Sequence, residues 1–304
     1  MSLHQLNSLM LDGFEIPSIE SFNSLCSSCP LSELRIIRCD TWKTDLNHLT
    51  IDSLYLQTLE LNYVAVPAGS IIKLNAPNIT SFFCKDEMSQ EYSLRNLSSL
   101  VTADITMSLV RNEKEESANS YLRLSEEQSG IYGKRMMEFL GAIDNVKDLQ
   151  LSSGFLELLS KAPDLLDCQL PEFSNLQYLK LKVWFTRGCM QTTYLLKISP
   201  NLKSILLASK ESGLPDIEEN WEATSSLPCV LSKFRYVEIT EVEGCDNELK
   251  LLGFLLQSAN VLEEVALFIR YTVGSPERVK QVKRFRDQLR ALPRASSSVN
   301  IMFF

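Results

Sequence analysis

The sequence predicts a mixed α/β solenoid, a stack of short parallel strands joined over the outside by helices or coil. Three observations predict it. A six-residue pattern, apolar-x-x-apolar-x-apolar, returns along the whole chain. Its copies are spaced like the units of a repeat array. And 304 residues with 45 % hydrophobic content are too apolar for a disordered chain and too many for one compact core, whereas an array grows in one dimension.

The hexads read Leu6/Leu9/Leu11, Leu31/Leu34/Ile36, Leu56/Leu59/Leu61, Ile79/Phe82/Cys84, Leu100/Ala103/Ile105, Val146/Leu149/Leu151, Leu176/Leu179/Leu181, Leu202/Ile205/Leu207, Phe234/Val237/Ile239 and Leu262/Val265/Leu267. Their first positions lie 25, 25, 23, 21, 46, 30, 26, 32 and 28 residues apart, mostly in or just above the ~20–29 residue period of leucine-rich repeats. The last two apolar positions are two apart, so both point inward from a strand, and the first turns in from the preceding loop. The rest of each unit must climb back over the outside as helix or irregular coil. One unit cannot bury its own leucines; stacking supplies the neighbours. The fold class is therefore a leucine-rich-repeat horseshoe with parallel strands on its concave face.

The interval of 46 leaves a degenerate unit or an insertion open. Residues 111–130 are polar and charge-dense, which predicts a mobile excursion. Helical spacing resumes at Ile131, Met136, Phe139 and Leu140, and again at Phe155, Leu158 and Leu159. We place the repeats in 1–208 and a distinct module in 209–304 that continues and caps them. In it, a connection rich in breakers (Gly213, Pro215, Trp221, Pro228) leads to a strand from Phe234 to Ile239. A helix over about Asn247–Ser258 and a strand over Leu262–Ile269 follow. The last helix, about Pro276–Leu292, has Ser275 as N-cap, Pro276 in its first turn and Pro293 as its stop. Its buried stripe is Val279, Val282, Phe285, Leu289 and Leu292. A strand from Val299 to Phe303 ends the chain.

Composition narrows the function classes. The formal net charge of −8 argues against nucleic acid or an anionic membrane as the main partner. No stretch reaches the ~20 apolar residues of a membrane helix, and the first residues do not read as a signal peptide. Eight scattered cysteines, Cys26, Cys29, Cys39, Cys84, Cys168, Cys189, Cys229 and Cys245, are too sparse for a disulfide scaffold. A cytoplasmic or nuclear setting follows, in which the sequons at Asn78 and Asn96 go unused.

Catalytic chemistry has little to build on. Cys26-Ser-Ser-Cys29 has the spacing of half a zinc site, but four ligands are needed and His4 and His48 show no partner spacing. A cysteine nucleophile lacks a nearby base. No phosphate-cradling glycine loop is present. Glu115-Glu116 and Glu218-Glu219 read as solvated charge. No enzyme, cofactor or metal is expected. The basic side of the last helix, Lys280, Lys283, Arg284, Arg286 and Arg290, reads as a solvated face, with an anionic-partner site as the other reading.

Several phrases resemble a plant family of F-box proteins with leucine-rich repeats and a terminal FBD domain. Trp221 to Phe304 carries most of the likeness: Pro228-Cys229-Val230-Leu231-Ser232 with Phe234, Val237, Glu238 and Ile239, then Glu248-Leu249, Leu252, Leu256, Ala259-Asn260 and Val261-Leu262, then Pro293-Arg294-Ala295-Ser296. Cys29-Pro30-Leu31, Leu170-Pro171-Glu172-Phe173-Ser174-Asn175-Leu176 and Ser199-Pro200-Asn201-Leu202 match phrases of the family's repeats. The resemblance implies a protein-binding module of the kind that selects substrates for a ubiquitin ligase. The F-box that docks on the ligase adaptor is not found in these residues, so the adaptor is a partner only if an F-box lies upstream. A free-standing repeat binder or a truncated relative is the alternative, and a hormone or inositol-phosphate receptor ranks below both.

A binding face follows from the strand alternation. Residues between the inward ones point out, and ten strands at ~4.8 Å spacing give an arc on the order of 45 Å. The outward set is Arg35, Glu60, Phe83, Asp104, Gln150, Tyr178, Lys180, Lys182, Tyr236 and Glu238, with Tyr178, Lys180 and Lys182 as the favoured anchors because aromatics and cations serve that role. Trp184 continues the outward alternation yet occupies the slot of a buried asparagine or cysteine, filled in the usual way only by Cys39; partial burial is expected.

Overall fold

The computed structural model describes residues 6–41, 48–67, 69–110, 116–160, 172–185, 189–209, 231–270 and 276–304. The described strands are β1 Ser8–Asp12, β2 Glu33–Ile37, β3 Leu49–Asp52, β4 Thr58–Asn62, β5 Ile71–Asn75, β6 Ser81–Glu87, β7 Glu91–Arg95, β8 Thr102–Ser108, β9 Asp148–Leu151, β10 Tyr178–Val183, β11 Ser204–Ser209, β12 Tyr236–Val242, β13 Glu264–Ile269 and β14 Asn300–Phe303. The helices are α1 Ile19–Ser28, α2 Ala118–Leu122, α3 Glu126–Ala142, α4 Ser153–Ser160, α5 Cys189–Lys197, α6 Asp246–Ser258 and α7 Pro276–Ala291. Each hexad supplies one strand of an eleven-stranded parallel sheet, in the order β1-β2-β4-β6-β8-β9-β10-β11-β12-β13-β14. The chain is a leucine-rich-repeat solenoid.

Register explains the burial. Leu9, Leu34, Leu59, Phe82, Ala103, Leu149, Leu179, Ile205, Val237, Val265 and Ile301 form one continuous inward row. Leu11, Ile36, Leu61, Cys84, Ile105, Leu151, Leu181, Leu207, Ile239, Leu267 and Phe303 form the next. Members of both rows are buried except at the two ends of the stack, where one neighbour is missing. Each enclosed leucine or phenylalanine contributes ~1.5–3 kcal/mol.

The first hexad position sits in a turn just before its strand, and an asparagine often precedes it. The amides of Asn78, Asn145 and Asn201 donate to carbonyls in the preceding unit's turn, Leu54 at 2.7 Å, Ser98 at 2.6 Å and Ser174 at 2.7 Å. These side chains satisfy backbone oxygens that no strand reaches. At the far end of the early strands the chain turns through left-handed backbone at Gly13, Arg38 and Tyr63, with φ of 68°, 49° and 50°. The cost to the two non-glycine residues is ~1–2 kcal/mol each. The Arg38 guanidinium grips Asp12 through two nitrogens at 2.7–3.0 Å, and the Tyr63 ring lies under the Lys85 ammonium.

Several expectations are corrected. Between β2 and β8 the return path is not only helix or coil: β3, β5 and β7 make a second parallel sheet on the outside. Its period-2 residues Leu49, Ile51, Ile72 and Leu74 are buried, and Tyr92 and Leu94 pack against the same core. β8 pairs directly with β9, so no strand comes between them in the large sheet. In place of a mobile excursion, the described part of 111–130 holds α2 and the start of α3. Ala118 and Tyr121 are buried there. The Ser125 hydroxyl accepts the Gln128 N–H at 3.2 Å, so Glu126 and Glu127 occupy a first helical turn, where negative charge is favoured. Trp184 is buried outright, its ring 5.5 Å from that of Tyr121, because α2 roofs the slot that solvent was expected to share.

α6 packs its Leu252, Leu255 and Leu256 inward and α7 lies against it, burying Phe285 and Leu289. Val279, expected in the buried stripe of α7, is 69 % exposed; it lies in the first turn, beyond the part of the helix that α6 covers. The breaker-rich connection with Gly213, Pro215, Trp221 and Pro228, the segment Leu170-Pro171, His4 and Ser275 lie outside the described residues. Among the described residues no helix is long and apolar enough to cross a membrane.

Candidate functional site

The outward residues of the large sheet line up as strictly as the inward ones. Met10, Arg35, Glu60, Phe83, Asp104, Gln150, Lys180, Leu206, Glu238, Ala266 and Met302 are register partners in one row across all eleven strands. Tyr178 and Tyr236 belong to the row two residues earlier, with Asp148 and Ser204 between or beside them. Lys182 belongs to the row two residues later.

Two depressions flank the middle of this face. The first, of about 410 Å³, is lined by Arg35, Glu60, Asn62, Phe83, Lys85, Asp104, Thr106, Gln150 and Lys182, with Leu61 and Cys84 at its floor. The second, of about 380 Å³, is lined by Phe83, Thr102, Asp104, Asp148, Gln150, Tyr178, Lys180, Ser204 and Leu206. Phe83, Asp104 and Gln150 form the ridge they share. The structure thus divides the anchors expected on β10: Tyr178 and Lys180 enter the second depression, Lys182 the first. Tyr236 and Glu238 line neither.

The first depression is electrically mixed. Arg35 bonds Glu33 at 2.7 Å and lies 3.8 Å from Glu60. The Glu33 carboxyl is held below the usual carboxylate range by its bonds from Arg35 and Ser8. The Gln150 amide donates to Asp104 at 2.8 Å. Cations therefore face acids rather than converging on an empty centre. The second depression differs. Phe83 and Tyr178 present exposed rings, 37 % and 48 % accessible, and Leu206 adds an aliphatic wall. Lys180 stands among them with no ion-pair partner among the described residues. Farther along, the Tyr236 hydroxyl donates to Glu238 at 2.7 Å, and that bond, with some burial, pushes its phenol up to about 12.

Leu206, Asp148, Lys85 and Ser204 belong to the face and were not singled out from sequence. Alternation does mark them, since each sits between inward positions. Leu206 was hidden by its own hydrophobicity, in the run Ile205-Leu206-Leu207.

Among the described residues the other candidates do not assemble a reactive centre. Among the described residues no group of three or more His, Cys, Asp or Glu side chains is placed to hold a metal ion. Cys26 and Cys29 are both buried at the end of α1, and burial pushes the Cys26 thiol up to about 12, so it stays protonated. His48 uses Nδ1 to accept the Ile71 N–H at 3.1 Å, tying β3 to β5.

The class defined by this geometry is a repeat solenoid with an extended, shallow, mixed-polarity open face. Comparison with known proteins agrees. The FBD family model matches residues 222–267, of which 231–267 are described and comprise β12, α6 and most of β13. An F-box/LRR-repeat protein of Arabidopsis thaliana is 26 % identical over 98 % of this chain. Two putative F-box/FBD/LRR-repeat proteins of the same plant are 28 % and 26 % identical over 100 % and 99 % of it. The chain spans 64 %, 59 % and 62 % of the length of these three relatives. The resemblance to the plant F-box/leucine-rich-repeat/FBD proteins thus extends over nearly the whole chain, with the FBD match in its C-terminal third.

Proposed function

We propose that this chain is a protein-recognition module, that its partner docks on the open face of the eleven-stranded sheet, and that it corresponds to the substrate-selecting part of an F-box ubiquitin-ligase subunit. The observation that carries the reading is the second depression. There two exposed aromatic rings and an aliphatic side chain line one depression on rigid strands, with a lysine that has no ion-pair partner among the described residues. Large rigid side chains of this kind hold most of the energy at protein interfaces, and strands position them more closely than loops do. The residues that carry the function are Phe83, Tyr178 and Lys180, with Arg35, Glu60, Asp104, Gln150 and Lys182 on the same face, and Tyr236 and Glu238 extending it. A longer polypeptide with an F-box would deliver the bound partner to the ligase through its adaptor.

The mixed charge of the first depression disfavours an anionic small-molecule receptor, which needs cations left free to converge. The test is affinity capture from plant extract with the chain and with a Phe83→Ala/Tyr178→Ala/Lys180→Glu variant in parallel. A partner retained by the parent and lost from the variant supports the reading. A partner held equally by both places recognition elsewhere and sinks it.

A further inference from the structure

Helix α7 holds a second surface of different character. Residues 277–294 carry seven cations and two acids, five positive charges net, in a chain whose total is −8; all other residues together therefore carry −13. The burial of Phe285 and Leu289 against α6 turns the opposite side of the helix to solvent. Lys280, Lys283, Arg284 and Arg290 lie on that side and are exposed, with Asp287 the one acid among them. Helical spacing of i, i+3, i+4 and i+10 keeps the four on one face.

Several charges gather on this one face without being answered. Five arginines elsewhere find carboxylates: Arg35 with Glu33, Arg38 with Asp12, Arg135 with Glu91, Arg235 with Glu263, Arg270 with Glu241 and Glu243. No ion pair of Lys280, Lys283, Arg284, Arg286 or Arg290 exists among the described residues. Two of them are also held in place: the guanidinium groups of Arg286 and Arg290 lie 4.8 and 6.0 Å from the centre of the Phe303 ring. Stacking of this kind fixes a guanidinium plane while leaving N–H groups along its edge for an anion.

We infer that the exposed side of α7 binds an acidic, Asp/Glu-rich segment of a partner protein, at a site separate from the sheet face. Charge complementarity argues for this occupant over a larger polyanion. The stripe from Lys280 to Arg290 is ~15 Å long, the reach of about five extended residues. The rest of the chain carries a net −13 and opposes the approach of an extended polyanion such as a nucleic-acid duplex or an anionic bilayer. A short acidic segment meets only the stripe.

The test uses the full chain and a fluorescein-labelled glutamate-rich peptide of about ten residues, read by fluorescence anisotropy. Binding is expected in low salt and should weaken about tenfold or more between ~0.05 and ~0.5 M salt as screening shortens. Lys280→Glu/Lys283→Glu/Arg284→Glu should weaken it about tenfold or more, the corresponding glutamine variant by an intermediate factor, and Tyr55→Ala, at an exposed position outside both faces, not at all. Circular dichroism melting establishes that the variants fold, which their exposed positions favour. Absence of salt-sensitive binding, or equal binding by the charge-reversed variant, overturns the inference. Tighter binding of a DNA duplex or of phosphatidylserine vesicles than of the peptide overturns the choice of partner.

Discussion

Replacing Glu248 by glutamine or alanine tests how the turn into α6 is held and which charge state holds it. The side chain is buried, and its two oxygens accept three backbone N–H groups, Glu243 at 3.0 Å, Gly244 at 2.6 Å and Cys245 at 3.0 Å. These amides belong to the chain entering the helix, where Gly244 takes a φ of 74° and a Cβ would stand 3.3 Å from Phe285. Alanine removes all three acceptor contacts; at a net ~1 kcal/mol each the loss is about 3 kcal/mol. Glutamine keeps one carbonyl oxygen and sets its NH₂ against donors, so about 2 kcal/mol is expected. The pH dependence separates burial from capping. Burial raises the Glu248 carboxyl above its ordinary 4.5, the three N–H donors pull it back, and burial is the larger. A folded state that holds the proton more tightly than the unfolded one has its full contribution below the unfolded value and loses it as pH rises through the folded value. Stability of the parent should therefore fall from about pH 4.5 upward across that window, while the glutamine variant lacks this slope, so the gap between them narrows. Urea unfolding at a series of pH values, with hydrogen exchange followed at residues 243–248, measures both effects. A gap that stays constant or widens with pH, or Gly244 and Cys245 amides as protected in the alanine variant as in the parent, refutes the reasoning.

In Gly154→Ala the new Cβ would stand 1.9 Å from the Tyr121 hydroxyl and 2.8 Å from Glu116; overpacking of this kind costs ~1–3 kcal/mol, read as a lower midpoint in thermal unfolding. Phe82→Ala opens the inner row beneath Phe139, whose ring stacks at 6.1 Å, and should cost ~3–5 kcal/mol by urea unfolding. Asn201→Ala removes the bond to the Ser174 carbonyl and the contact from Lys233; a loss of ~1 kcal/mol and faster amide exchange around Phe173 to Leu176 are expected. Phe83→Ala, Tyr178→Ala and Lys180→Glu, by contrast, should each shift stability by no more than ~0.5 kcal/mol in the same assay.

The strands were legible because one physical signal recurs in every unit. All ten hexads supply a strand of the large sheet, and Asn300–Phe303 closes it. The outer path was less legible because several segments there are short. β3 has four residues, two of them buried, too few for alternation to separate from chance. Residues 116–130 misled through their charge. Glu116 is a buried partner of the Tyr121 hydroxyl, while Glu126 and Glu127 serve a helix start signalled by Ser125 and Gln128. Val279 fell outside the buried stripe because periodicity gives the side of a helix but not how far its neighbour extends. At the candidate face, alternation identified which residues point out; which of them share a depression depends on register between strands, and register is set by turn lengths that a single unit does not reveal.

The two faces of the same strands answer to different demands, and this is why recognition is best sought on one of them. Inward residues are constrained twice, by their own burial and by the neighbour stacked on each side, so Leu59 cannot change without Leu34 and Phe82 feeling it. Outward residues in register with them have solvent for one partner and are free to vary in size and charge at small cost. The row that contains Arg35, Glu60, Phe83, Asp104, Gln150 and Lys180 mixes both signs of charge with an aromatic ring, a pattern no packing rule requires. In the first depression those charges neutralise one another. At Lys180, and along α7, they do not. Cations without ion pairs among the described residues, held on rigid elements of an acidic chain, define two places where a partner gains most by supplying carboxylates.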